Sequence, residues 1–316
     1  MRSMSPKLLN FLREHFPSFK PDYDPFPAYR QRIALDHVRR GDSLFESKEY
    51  ALALDAYNEA IEFEAVAEAF CNRSCVFVQT ADYDRALEDC NRTIKTKPDL
   101  APAFCNRGTA YLGKGDRELA LRDYDQAISL KADFAIAICN RGFALFSKGE
   151  TDRASVDFDR AVELEPNLAL TFRIRGVVSF CNRRFAQARK DCAEATRLDP
   201  NDCNNLIWPY LANVRDGLTK KAQVQAEGMD LDEWPGPGFA FLLGSLTREG
   251  LLAASHDENL YKQREQLCAA HFFIGQAELF NGHLVDAAES FRNAIASGAM
   301  NCLEYVAAER ELQDVK

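Results

Sequence analysis

Ten cysteines, five histidines and three recurring asparagines are the residues of this 316-residue chain whose types and spacing could do chemistry. Cys71 and Cys75 stand four apart, on one face of a helix, yet two thiols are only half of a tetrahedral zinc site. None of His15, His37, His256, His271 and His283 has the i, i+4 partner ligand of an HExxH helix. No Gly-rich phosphate loop and no GxSxG elbow occurs. Cys268 and His271 have the types of a thiol nucleophile and its base, but that spacing on one helix points to packing. No catalytic residue, metal ligand or cofactor is therefore expected. What recurs instead is amide chemistry. Cys-Asn-Arg appears at 71–73, 105–107 and 139–141, so Asn72, Asn106 and Asn140 follow one another at a 34-residue interval. A carboxamide offers one acceptor and two donors, the groups that hold a peptide main chain. A bridge between neighbouring helices would use the same groups, and both readings stand.

Two charged series keep the same interval. Arg73, Arg107, Arg141 and Arg175 occupy its seventh place, and Asp89, Asp123, Asp157 and Asp191 its twenty-third. Bidentate arginine–carboxylate geometry suits a ladder of ion pairs between helices. Arginines reaching toward a ligand are the alternative. Hydrophobic residues at 47% and charged residues at 28% describe a folded chain rather than a disordered one. A formal charge of -9 argues against nucleic acid, whose phosphates require a basic face. The apolar run LLNFL near the start is too short for a signal-peptide core, and no stretch approaches the roughly 20 apolar residues of a membrane span. Ser5-Pro6 reads as a helix N-cap with proline at N1. A cytoplasmic location without membrane insertion is expected, with cysteines at equivalent repeat places acting as reduced packing groups.

The elements that must position these groups come from the interval itself. Ala67–Leu100, Ala101–Phe134, Ala135–Leu168 and Ala169–Asp202 align without gaps, and a copy one residue short precedes them at 34–66. Small residues recur at the eighth place (Gly41, Ser74, Gly108, Gly142, Gly176) and alanine at the twentieth (Ala53, Ala86, Ala120, Ala154, Ala188), where two helices approach closely. The twenty-fourth place holds Tyr57, Tyr124 and Phe158, or Cys90 and Cys192, and Pro98, Pro166 and Pro200 close the second helix. This pattern resembles the tetratricopeptide repeat (TPR) family over residues 34–202. It returns near 268–298, where Gly275, Ala287, Phe291 and Ala294 stand in register. The resemblance implies an all-α fold, a right-handed α-solenoid of antiparallel helix pairs with a concave groove.

The expected organisation is an N-terminal helix and extension at 1–33, five TPR repeats at 34–202, an irregular helical segment at 203–267, a C-terminal TPR at 268–298, and a capping helix at 299–316. WPGPG at 234–238 is expected to be a turn. The order WPGPGFAFLLGSLT, then a repeat, then MNCLEYVAAERELQ resembles the C-terminal half of the NlpI-like bacterial TPR lipoproteins, which dimerise and act as adaptors for envelope peptidases. This chain departs from them in lacking a lipid-attachment cysteine and in having more N-terminal repeats.

By resemblance to TPR proteins that hold extended peptides, such as the O-GlcNAc transferase superhelix and kinesin light chains, Asn72, Asn106 and Asn140 would grip a partner's main chain. Ile136, Phe143, Phe146, Leu170, Val177 and Phe180 form an apolar stripe on the same face, suited to a partner's side chains unless residues 203–250 fold back over it. The carboxylate clamp of chaperone-binding TPRs is excluded, because of its five residues only the middle asparagine is matched, by Asn72 or Asn106. The expected function is a protein–protein interaction adaptor or scaffold that binds a segment of a partner protein. The alternative is a structural homo-oligomer whose groove is filled by its own C-terminal segment.

Overall fold

The computed structural model describes residues 27–64, 66–200, 202–218, 231–300 and 302–315. The helix start expected at Ser5-Pro6 lies outside them. Among the described residues every regular element is an α-helix. Two compact units are present, residues 1–110 and 111–316, divided within the fifth helix.

Unit 1 contains α1 (Pro27–Glu46), α2 (Tyr50–Phe63), α3 (Ala67–Gln79), α4 (Tyr83–Thr96) and most of α5 (Ala101–Gly113). Unit 2 continues with α6 (Arg117–Leu130), α7 (Ala135–Ser147), α8 (Thr151–Leu164), α9 (Ala169–Cys181), α10 (Phe185–Leu198) and α11 (Asn204–Arg215). After two short helices, α12 (Gly236–Leu242) and α13 (Arg248–Ala254), come α14 (Leu260–Phe280), α15 (Leu284–Ala296) and α16 (Leu303–Asp314). Successive helices pack in pairs: α1 on α2, α3 on α4, α7 on α8, α9 on α10 and α14 on α15.

The small and aromatic positions explain that pairing. A Cβ on Gly41 would stand 2.5 Å from the Tyr57 ring, and one on Gly275 2.5 Å from the Phe291 ring. The eighth place of a copy thus lies against its twenty-fourth, sixteen residues on. Where the twenty-fourth residue is the smaller Cys90, the eighth is Ser74, its hydroxyl donating to the Cys71 carbonyl at 2.6 Å. The alanines of the twentieth place are fully buried. Pro98 and Pro166 each stand two residues past a helix end, where a further α-helical turn is disfavoured.

Three boundaries differ from the sequence expectation. Helix α1 starts at Pro27 and runs through the 33/34 boundary. Helix α14 starts at Leu260, inside the segment expected to be irregular helix and ahead of the repeat boundary expected at 268, and Asn259 caps it, its Oδ1 accepting from the backbone amides of Tyr261 and Lys262. Within WPGPG only the first two residues form the turn, and Gly236 already begins α12.

Candidate functional site

On the first helices of three repeats, Arg73, Arg141 and Arg175 each donate three hydrogen bonds to two partners. Arg73 donates from Nε and Nη2 to the carboxylate of Asp89 at 2.7 and 2.8 Å. Arg141 meets Asp157 at 2.8 and 2.7 Å, and Arg175 meets Asp191 at 3.0 and 2.7 Å. Each pair is a bidentate fork to an aspartate that is nearly inaccessible to solvent. The third nitrogen, Nη1, turns the other way. Arg73 Nη1 donates to Asn58 Oδ1 at 2.5 Å, Arg107 to Asn91 at 2.8 Å, Arg141 to Asp125 at 2.8 Å and Arg175 to Asp159 at 2.9 Å. Those four acceptors all occupy the twenty-fifth place of the preceding copy. Sequence reasoning missed them, although Asn58, Asn91, Asp125 and Asp159 recur as regularly as the arginines. The hydrogen bonds with Asp157 and Asp125 hold the Arg141 guanidinium above its ordinary range despite burial. Arg107 and Asp123 fall on opposite sides of the division between the units.

The asparagines face neighbouring helices rather than standing clear of them. Asn72 Nδ2 donates to Asp42 Oδ1 at 2.7 Å, and the Tyr57 hydroxyl donates to the same oxygen at 2.8 Å. Asn106 Nδ2 donates to the Cys71 carbonyl at 3.2 Å and to Ser74 Oγ at 3.1 Å. Asn140 is part-exposed on α7, its side chain also engaged. All three remain part-exposed, and the carbonyl oxygens of Asn72 and Asn106 have no partner among the described residues. In unit 1 a cleft of 620 Å³ opens beside Leu35, Glu68 and Lys97. Leu35 and Glu68 stand at the second place of their copies, one helical turn before the sixth place of Asn72 and on its face.

The apolar stripe of unit 2 is corrected by the structure. Phe146 is 1% exposed, Phe180 is fully buried, and Phe143, Val177 and Ile174 are also buried, so none of these faces an open groove. Ile136 alone of the expected pocket residues is exposed, at 37%. Among the described residues the cover comes from α11, inside the 203–250 segment, and from α16. Phe180 packs edge-on against Trp208 of α11, ring centroids 5.5 Å apart. Helix α16 lies against α9, α14 and α15, and the Arg310 guanidinium sits 5.2 Å from the centre of the Phe146 ring.

The thiol chemistry is closed off by burial. All ten cysteines are free, Cys71 and Cys268 are buried, and burial pushes the Cys71 thiol far above its ordinary range. Cys75 is raised to about 11 by burial. Cys268 meets Cys302, whose thiol is likewise raised, first by burial and then by that contact. A nucleophile needs the thiolate, which such an environment disfavours. Glu278, His283 and Asp286 bring their ligand atoms within 4.8 Å of one another, a grouping that sequence spacing did not show. Two of the three are exposed, and the His283 imidazole pairs with Glu278 at 2.8 Å. No described helix is long and apolar enough to cross a membrane.

Glu304, near the start of α16, is pushed up to about 7, chiefly by burial and also by Glu265 of α14, against the opposing pull of Arg173 of α9. A carboxylate raised on folding contributes stability that is present below about pH 4.5 and lost as pH rises through 7. Between pH 5 and pH 8 this group should therefore withdraw about 2–3 kcal/mol. Urea titrations of wild type and Glu304→Gln should diverge by that amount across the window. Parallel curves would place Glu304 in water.

The tetratricopeptide repeat model matches residues 101–134 and 135–168, the third and fourth copies. No curated protein matches the chain significantly. Among solved structures, a thermophilic TPR protein of Thermus thermophilus is similar at 20% identity, covering 57% of this chain and 98% of that one, with a TM-score of 0.53. PilF of Pseudomonas aeruginosa is similar at 16% identity over 59% and 83% of the two chains, TM-score 0.48. The C-terminal part of a TPR repeat-containing protein of Cytophaga hutchinsonii is similar at 20% identity over 82% and 94%, TM-score 0.41. The fold is that of a TPR solenoid, a class that generally mediates protein–protein interaction.

Proposed function

We propose that the chain is an adaptor that holds a segment of another protein on the first-helix face of unit 1. The observation that carries this reading is the contrast between two equivalent faces. In unit 2 that face is filled by Trp208 and α16, whereas in unit 1 Asn72 and Asn106 stay part-exposed, and a 620 Å³ cleft opens at Leu35 and Glu68, one turn before the sixth place. The asparagine amide nitrogens are steered by Asp42, Cys71 and Ser74, which leaves each carbonyl oxygen aimed for a partner's N–H. The resemblance of the C-terminal part to NlpI-like adaptors points the same way. The test is affinity capture from a lysate by wild type, Asn72→Ala/Asn106→Ala and Asn140→Ala, with melts of all three. The double variant should lose a captured protein at least tenfold while melting within a few degrees of wild type, and Asn140→Ala should retain it. Equal capture by all three, or collapse of the double variant's fold, would assign the asparagines to holding helices together.

A homo-oligomeric scaffold is favoured by one other observation: Phe280, Leu284 and Val285 are 49%, 53% and 79% exposed around one turn. That reading requires elution well above the 35.6 kDa monomer, reversed by Val285→Lys.

A further inference from the structure

Each helix pair turns through the fifteenth place of its copy with a positive φ, held by Lys48 and Ala81 at 61° and 56° in the first two copies and by Gly115, Gly149 and Gly282 at 89°, 88° and 82°. In the fifth copy that place is Arg183, φ 60°. Of the three side chains held in this conformation, Arg183 alone makes hydrogen bonds among the described residues. Its acceptors lie in α16. Arg183 Nη1 and Nη2 donate to the two carboxylate oxygens of Glu311 at 3.1 and 2.9 Å, and its Nε donates to Asp314 at 3.1 Å. Arg215 of α11 donates to Glu311 Oε1 at 2.6 Å, and Gln276 of α14 donates to the same oxygen at 3.0 Å. Glu311 is 2% exposed. One turn back, Ala307 and Ala308 are fully buried beside Val306.

Two part-exposed arginines converging on the one inaccessible carboxylate of α16 add little to a mere cap, since apolar residues of similar volume serve stability at least as well. They are a good way to recognise carboxylates spaced three apart on a helix, because the arginine fork is selective for that geometry. We propose that Arg183, Arg215 and Gln276 form a binding site for an acidic amphipathic helix of a partner protein, which the chain's own α16 occupies as a built-in competitor. The fitting partner carries two carboxylates at i and i+3 above a face of alanine and valine. This site lies wholly in unit 2 and does not depend on the asparagines of unit 1.

The test uses the full chain and a fluorescein-labelled peptide of residues 303–315. Wild type should hardly bind it, because a tethered helix competes at an effective concentration near the millimolar range. The Glu311→Gln chain, whose own helix is held less firmly, should bind the peptide at least tenfold tighter. A peptide carrying the same Glu311→Gln change should not bind. Adding Arg183→Gly to the Glu311→Gln chain should abolish binding of the unaltered peptide, and glycine suits the turn. A Glu311→Gln chain that stays helical and ignores the peptide overturns the proposal, as does equal binding to wild type and variant. Cooperative loss of all helix in Glu311→Gln also overturns it, since α16 would then be core and not ligand.

Discussion

Replacing Trp208 with alanine should destabilise unit 2 by about 3–5 kcal/mol, the range for deleting a buried aromatic from a packed core. Trp208 is 1% exposed and joins three helices. Its indole stands edge-on to Phe180 of α9 and tilted against Phe272 of α14, both at 5.5 Å, and Phe272 continues to Phe291 of α15 at 6.0 Å. Alanine leaves a void lined by those rings, and helix backbones cannot close around it without losing their own contacts. Trp208→Phe retains one ring and should lose only about half as much. Urea unfolding followed by circular dichroism measures this, read as the transition of unit 2 because a stacked-repeat protein need not unfold all at once. A loss below about 1 kcal/mol would mean that α11 packs loosely on the repeats.

The second large effect belongs to the arginine forks. Arg73→Met removes both bonds to Asp89, whose side chain is only 3% exposed, and strands a carboxylate without countercharge. Breaking a buried pair on one side costs about 3–5 kcal/mol; Arg73 itself is 17% exposed, so about 2–4 kcal/mol is expected here. The methionine keeps apolar contact with Phe70 and Phe77, over which the guanidinium now lies. The informative comparison is Arg73→Met/Asp89→Leu, which should regain most of the loss because no charge is left buried. A double variant less stable than the single would show that the fork itself stabilises the fold.

The repeats were legible because each helix pair needs small residues where backbones meet and a bulky one opposite them. Gly41 with Tyr57, and Gly275 with Phe291, are that rule in coordinates. The arginine and aspartate series were legible for the same reason: one interval separates the members of each. The second acceptors, Asn58 through Asp159, carried the same signal and went unread because asparagine and aspartate alternate among them. The return of α16 onto the repeats could not be read so. Glu311 lies 128 residues from Arg183 and 96 from Arg215, separations that no periodicity marks. The stripe of Phe143, Phe146 and Phe180 misled because apolar side chains at helical spacing look alike whether a partner or the chain itself covers them.

Arg73, Arg141 and Arg175 each take one hold in their own copy and one in the copy before, and the place of the second hold is the same every time. A copy is therefore an interchangeable part. Excising residues 135–168 in register would present Arg175 with Asp125, the residue type it now meets at Asp159, and would leave its hold on Asp191 untouched because that lies within its own copy. The joint even spans a shorter interval, since the first copy is one residue short and its Asn58 still accepts from Arg73, so the number of copies is free to vary while the joint stays the same.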